Sequence, residues 1–173
     1  MVISHARSTR YATLTGALAL ALVAGSGPAV ALPQWRTTDT VQPSTTSVKV
    51  LDLRHATHAR FDRVVIDLRG RRPGYRIGYT DQLKYDGSGR PVWLAGRKKV
   101  SLVLNPAYAH DARGHNLYQG PRKTKVGYPT LRGIAFTGDY EAHVSFGFGT
   151  TRRAPYRIFT LTSPSRLVID FKH

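Results

Sequence analysis

Arg63-Val64-Val65-Ile66-Asp67-Leu68 returns near the C-terminal end of the chain as Arg166-Leu167-Val168-Ile169-Asp170-Phe171. Both copies are rich in β-branched residues and too short for a helix, so each is read as a strand. Side chains alternate across a strand, which puts Val64, Ile66 and Leu68 on one face and Arg63, Val65 and Asp67 on the other. The second copy sorts in the same way, with Leu167, Ile169 and Phe171 opposite Arg166, Val168 and Asp170. Antiparallel pairing in register would set Arg63 against Asp170 and Asp67 against Arg166. Opposite charges so placed contribute roughly 0.2–1 kcal/mol a pair. Neither copy carries a nucleophile, a thiol or an imidazole. The repeat therefore speaks of architecture.

Outward from these two segments, further runs with strand character recur between short turn signals. They cover Val48–Arg54, Phe61–Arg69, Tyr75–Thr80, Val92–Ala95, Lys99–Leu104, Gly133–Thr137, Ala142–Phe148, Tyr156–Leu161 and Arg166–Lys172. Pro73-Gly74, Asp86-Gly87-Ser88-Gly89, Gly138-Asp139 and Ser163-Pro164-Ser165 punctuate them. Val100, Leu102 and Leu104 alternate with polar or smaller residues, as do Val144, Phe146 and Phe148, a pattern of strands half in the core and half in solvent. The only helical signal is one turn over Pro106–Arg113. The expected fold is all-β, an antiparallel β-sandwich of about eight to nine short strands with one long loop, Pro106–Thr130.

At the other end, His5, Arg7 and Arg10 precede an apolar run from Tyr11 to Ala24, followed by Ala29-Val30-Ala31. The run is short of the roughly 20 residues a membrane-spanning helix needs. Residues 1–31 are read as a secretory signal peptide cleaved after Ala31, and the product as secreted, extracellular or held at the cell wall. Leu32 to Thr46, rich in Thr, Ser, Gln and Pro, is read as a flexible linker. Residues 47–173 then form one domain. The chain has no cysteine, so a core and a sheet must hold it without disulfides. Removing Arg7 and Arg10 with the leader lowers the formal charge from +16 to +14. A surface this basic attracts polyanions through a salt-dependent field.

Motifs for catalysis are weak. His55-Ala-Thr-His58 lacks a third ligand at recognisable spacing and a cysteine, so no metal site is assigned. His110-Asp111 and His115 offer an acid beside an imidazole, yet Asp111-Ala-Arg-Gly114 also makes an ordinary turn, and no nucleophile elbow accompanies it. Glu141 and Asp139 do not make the paired carboxylates of a glycosidase. No catalytic residue and no cofactor are assigned. Basic residues interleaved with aromatics are more informative, because Arg grips carboxylate and phosphate through two donors while Tyr and Trp stack on rings. The candidate ligand-binding residues are Arg54, Arg63, Asp67, Arg71, Arg72, Tyr75, Trp93, Arg152, Arg153, Arg166 and Asp170. Arg97-Lys98-Lys99 forms a further basic patch.

Several segments together carry a resemblance. These are Arg54-His55-Ala56-Thr57-His58 with Phe61 to Asp67, Pro73-Gly74-Tyr75, Asp86-Gly87-Ser88-Gly89-Arg90, and Leu104-Asn105-Pro106-Ala107 with Ala109-His110-Asp111. Val144 to Gly147, Arg153 to Arg157 with Phe159, and Pro164 to Asp170 complete the set. In their order they resemble the AMIN-like domain family of secreted and lipid-anchored actinobacterial proteins, relatives of the AMIN domain found beside cell-wall amidases and pilus secretins. The resemblance covers Val48 to the C-terminus. It implies a non-catalytic β-sandwich serving the cell envelope, with peptidoglycan as the ligand class. The lipobox cysteine of anchored relatives is missing, and no enzyme domain accompanies the segment.

The expectation is a secreted module that binds peptidoglycan or an anionic wall glycopolymer, without a membrane span and without nucleic acid as its partner. Two other classes remain open. One is a protein-interaction module docking an envelope enzyme or assembly, and the other is a small hydrolase built on the Pro106–Thr130 loop.

Overall fold

A computed structural model describes residues 31–173. The leader read over residues 1–31 lies outside the described residues, save Ala31 itself. The chain from Leu32 to His173 is one compact unit. It contains eleven strands: β1 (Thr40–Gln42), β2 (Val48–Thr57), β3 (Phe61–Arg69), β4 (Tyr75–Thr80), β5 (Lys98–Leu104) and β6 (Ala107–Tyr108), then β7 (Lys123–Lys125), β8 (Leu131–Tyr140), β9 (His143–Thr150), β10 (Tyr156–Thr162) and β11 (Ser165–Lys172). Six make one sheet in the order β1-β4-β5-β9-β8-β7, and five make the other in the order β10-β11-β3-β2-β6. Every pairing is antiparallel except β2 with β6. The β-sandwich is borne out, with more strands than the sequence reading expects.

The repeated strands are neighbours. β11 pairs with β3 so that Asp170 faces Arg63 and Arg166 faces Asp67, the register expected from the sequence. Their inner residues, Val64, Ile66, Leu167, Ile169 and Phe171, are fully buried. They meet Ile77, Val100, Leu102, Ile134, Phe146 and Phe148 of the other sheet in one core. Phe148 and Phe171 touch across it with ring centroids 5.6 Å apart. The register is fixed by this burial, because a slip of one residue would turn every apolar side chain outward.

Several sequence expectations are corrected. Val92–Ala95 is not a strand. The segment from Leu83 to Gly96 lies across the outer face of the six-stranded sheet, with Leu83 and Val92 packed on Ala135 as a second, smaller core. Glycines make room for it: a Cβ on Gly149 would sit 1.8 Å from the Ala95 carbonyl oxygen, and one on Gly147 would sit 2.5 Å from a Leu83 methyl. That cover is why Ser145 is buried, although alternation alone placed it in solvent.

Pro106–Arg113 holds no helical turn. Ala107 and Tyr108 join a ladder with Val48 and Lys49, and the Asp111 carboxylate closes a turn by accepting from the amides of Arg113 and His115. Lastly, Leu32 to Thr46 is not a free tether. β1 pairs with β4, Arg36 and Tyr156 exchange backbone hydrogen bonds, and the Tyr156 hydroxyl donates to the Thr38 carbonyl at 2.7 Å. Its few apolar residues suffice because the domain offers them a prepared edge. Ala142, expected in a strand, stands with Glu141 in the β8–β9 turn at positive φ.

Candidate functional site

Five of the eleven sequence candidates converge on the outer face of the five-stranded sheet. Arg54 comes from β2, Arg63 and Asp67 from β3, and Arg166 and Asp170 from β11. Their charges are mostly satisfied there. Asp170, fully buried, accepts two hydrogen bonds from Arg63 at 2.6 and 2.9 Å and one from Arg157 at 2.8 Å. Both guanidinium groups lie on aromatic faces, Arg63 over Phe61 and Phe159, Arg157 over Trp35 and Phe61. A buried carboxylate is tolerated because it is paired and bonded on this scale. Asp67 is gripped by Arg54 through two bonds of 2.7 Å rather than by Arg166, which donates instead to the carbonyls of Pro164 and Ser163. The face is a clasped platform, and Trp35, which the sequence reading left in the linker, is part of it.

The other candidates scatter. Arg71 and Arg72 stand in the β3–β4 turn, Arg72 at φ 52°. Arg152 and Arg153 stand between β9 and β10, at the opposite end of the sandwich. Arg153 lies over the Tyr79 ring and donates to the Thr37 carbonyl. Tyr75 packs against the core, and burial pushes its phenol upward. Trp93 is 79% exposed on the covering segment. Among the described residues, the three pockets hold only Tyr75 of the eleven.

The histidines have their own partners. His55 meets the Tyr128 hydroxyl at 3.0 Å, and His58 stacks on Phe61. His110 bonds Asp139 at 2.6 Å, rather than its neighbour Asp111, which pairs with His115. Among the described residues no serine or threonine hydroxyl is bonded to the His110 ring. At the end of the sandwich that carries Arg152, Asp62 is fully buried and accepts from the amides of Thr130 and Leu131, from Thr57 and from His173. Burial alone would raise its carboxyl, but the Leu131 amide, His173, Thr57 and the Thr130 amide outweigh it and hold it below the ordinary range.

Free positive charge gathers elsewhere. A groove of about 880 Å³ is lined by Ala95, Gly96, Arg97, Lys125, Val126, Gly127, Arg132 and Thr151. Among the described residues only Arg54, Arg63, Arg76 and Arg157 of the lysines and arginines join ion pairs, so the three cations of the groove are unpaired. No carboxylate lines it. Of these three only Arg97 stood in a patch visible in the sequence. Lys125 lies on an edge strand, and Arg132 falls in a β-bulge between Leu131 and Gly133, a device that re-aims a side chain and leaves no local sequence mark.

A family model described as the AMIN-like domain matches residues 48–173. The chain belongs to the AMIN-like domain family. No curated protein and no solved structure matches it. Membership associates the chain with the cell envelope. The AMIN-like match begins at Val48, so Trp35 and β1, which complete the platform and the six-stranded sheet here, precede it.

Proposed function

We propose that this AMIN-like domain is a secreted, non-catalytic envelope module that binds peptidoglycan or an anionic wall glycopolymer through unpaired basic side chains. The observation that carries the reading is how the charges sort. Most of the carboxylates are consumed in ion pairs, caps and turns, while the excess of lysine and arginine stays free at the surface. Such a surface binds a polyanion by release of its counterions and by orienting donors toward its oxygens. The non-catalytic reading is supported by the partners of His110 and His115, which are carboxylates without a bonded nucleophile.

A second reading, docking of an envelope protein, is favoured by two adjoining hollows of about 310 and 390 Å³ that share Val103 and His143. Val41, 63% exposed on the edge strand β1, borders one of them, and Tyr140, 56% exposed, borders the other. Co-sedimentation with purified sacculi separates the two. Polymer binding gives retention at low salt and release at high salt. A chain that stays in the supernatant at low salt, while cross-linking in the secretome recovers one dominant protein, would put docking in its place.

A further inference from the structure

We infer that the groove between the Ala95–Arg97 loop and the Lys125–Gly127 segment holds one strand of a polyol-phosphate polymer, a phosphodiester-linked polyanion without bases. The inference rests on the envelope-binding reading and names the chemistry and the place. Arg97, Lys125 and Arg132 come from a loop, an edge strand and a bulge of an interior strand, yet they line one groove. Each is put there by local structure. Gly133 and Gly149 let the Ala95 backbone lie flat on the sheet, and Gly96 turns at φ +108° to release Arg97 toward the groove. The Lys99 ammonium donates to the carbonyls of Leu94 and Gly96, so those loop acceptors are already engaged. Lysine on an edge strand commonly guards against strand addition. That accounts for Lys125 but not for Arg97 or Arg132.

The lining also tells what does not fit. No aromatic ring and no side-chain carboxylate or carboxamide is present, so neutral sugar rings find neither a stacking face nor paired acceptors. Bases of a single-stranded nucleic acid likewise lack the aromatic platforms on which they stack. The groove is open and about 880 Å³ in volume, room for a polymer strand to lie along it. What remains is phosphate oxygen repeated along a chain, matched by two planar guanidinium forks and an ammonium point charge.

The test uses the purified chain and a poly(glycerol phosphate) oligomer as probe, with titration at low salt. The triple substitution R97Q/K125Q/R132Q is compared with R60Q/R90Q/R113Q, which removes the same charge from exposed positions outside the groove. Removing three phosphate contacts is expected to weaken binding at least about 30-fold, against about 3-fold or less for the control. Thermal melting shows that both variants fold. Equal losses in the two triples would overturn the groove. Tighter binding of an oligonucleotide, or of vesicles of anionic phospholipid, than of the probe would overturn the ligand class. Sacculi stripped of phosphodiester polymer form a separate arm. If native sacculi retain the wild-type chain and the groove triple alike, the groove assignment fails while the envelope-binding reading stands; if stripped sacculi retain the wild-type chain as well as native ones do, the phosphodiester ligand fails; if neither retains it, the envelope-binding reading fails too.

Discussion

Asp62 shows how much one side chain can settle. Its carboxylate joins the start of β3 to the Thr130–Leu131 backbone at the head of β8, so one residue ties the two sheets together at that end. In Asp62→Asn the atom facing those two amides becomes either an amide nitrogen or a weaker neutral oxygen. The substitution is expected to lower stability by about 2–3 kcal/mol, read by urea unfolding at neutral pH. Because the folded carboxyl titrates below its ordinary value, its contribution is complete above the unfolded pKa and fades as pH falls through the depressed one. Wild-type stability should therefore decline below about pH 4, and less steeply in the variant. A variant with the same acid profile as wild type would remove Asp62 from that role. Nothing in the sequence singles out Asp62, since the two amides it accepts from belong to residues 68 and 69 positions away.

Elements differ in how plainly the sequence announces them. β3, β4, β10 and β11 are legible almost residue for residue, because turn signals bracket their β-rich runs and, in β3, burial alternates along the whole strand. β6 and β7 are not, since two or three residues carry no period and owe their form to a neighbour's ladder. Val92–Ala95 reads as a strand in the sequence for a related reason: the apolar residues of the covering segment pack on glycines that the sequence alone shows only as gaps in β8 and β9. Gly149→Val is expected to lift that segment from the sheet, because Ala95 leaves no room for a Cβ. Hydrogen exchange should quicken over Leu83–Gly96 while the β3–β11 ladder stays protected. Unchanged exchange there would contradict the packing.

The same logic applies to residues 32–46. A chain beginning at Ser47 loses β1, Trp35 and the Thr38 carbonyl, the nearer of two that the Tyr156 hydroxyl reaches. It should unfold at about 2 kcal/mol lower free energy or more, where removal of a true tether would change nothing.

For the whole molecule, the sandwich was readable and the site was not. The eleven sequence candidates are seven arginines, two aspartates, Tyr75 and Trp93, and the fold uses several of the charged ones to neutralise one another. Arg63, Arg157 and Asp170 clasp, Arg54 and Asp67 clasp, and the free cations lie where a loop, an edge and a bulge meet. Proximity of that kind depends on tertiary placement, which no local pattern carries. The net charge, by contrast, is legible from composition, and the proposed function rests on it. Binding of the wild-type chain to native sacculi, measured as an association constant across a series of salt concentrations, is the most direct trial of an electrostatic envelope module. The expected result is a straight fall of log K against log salt with a slope of about −2 or steeper, as several counterions are released. A flat line, or no binding at the lowest salt, would contradict it.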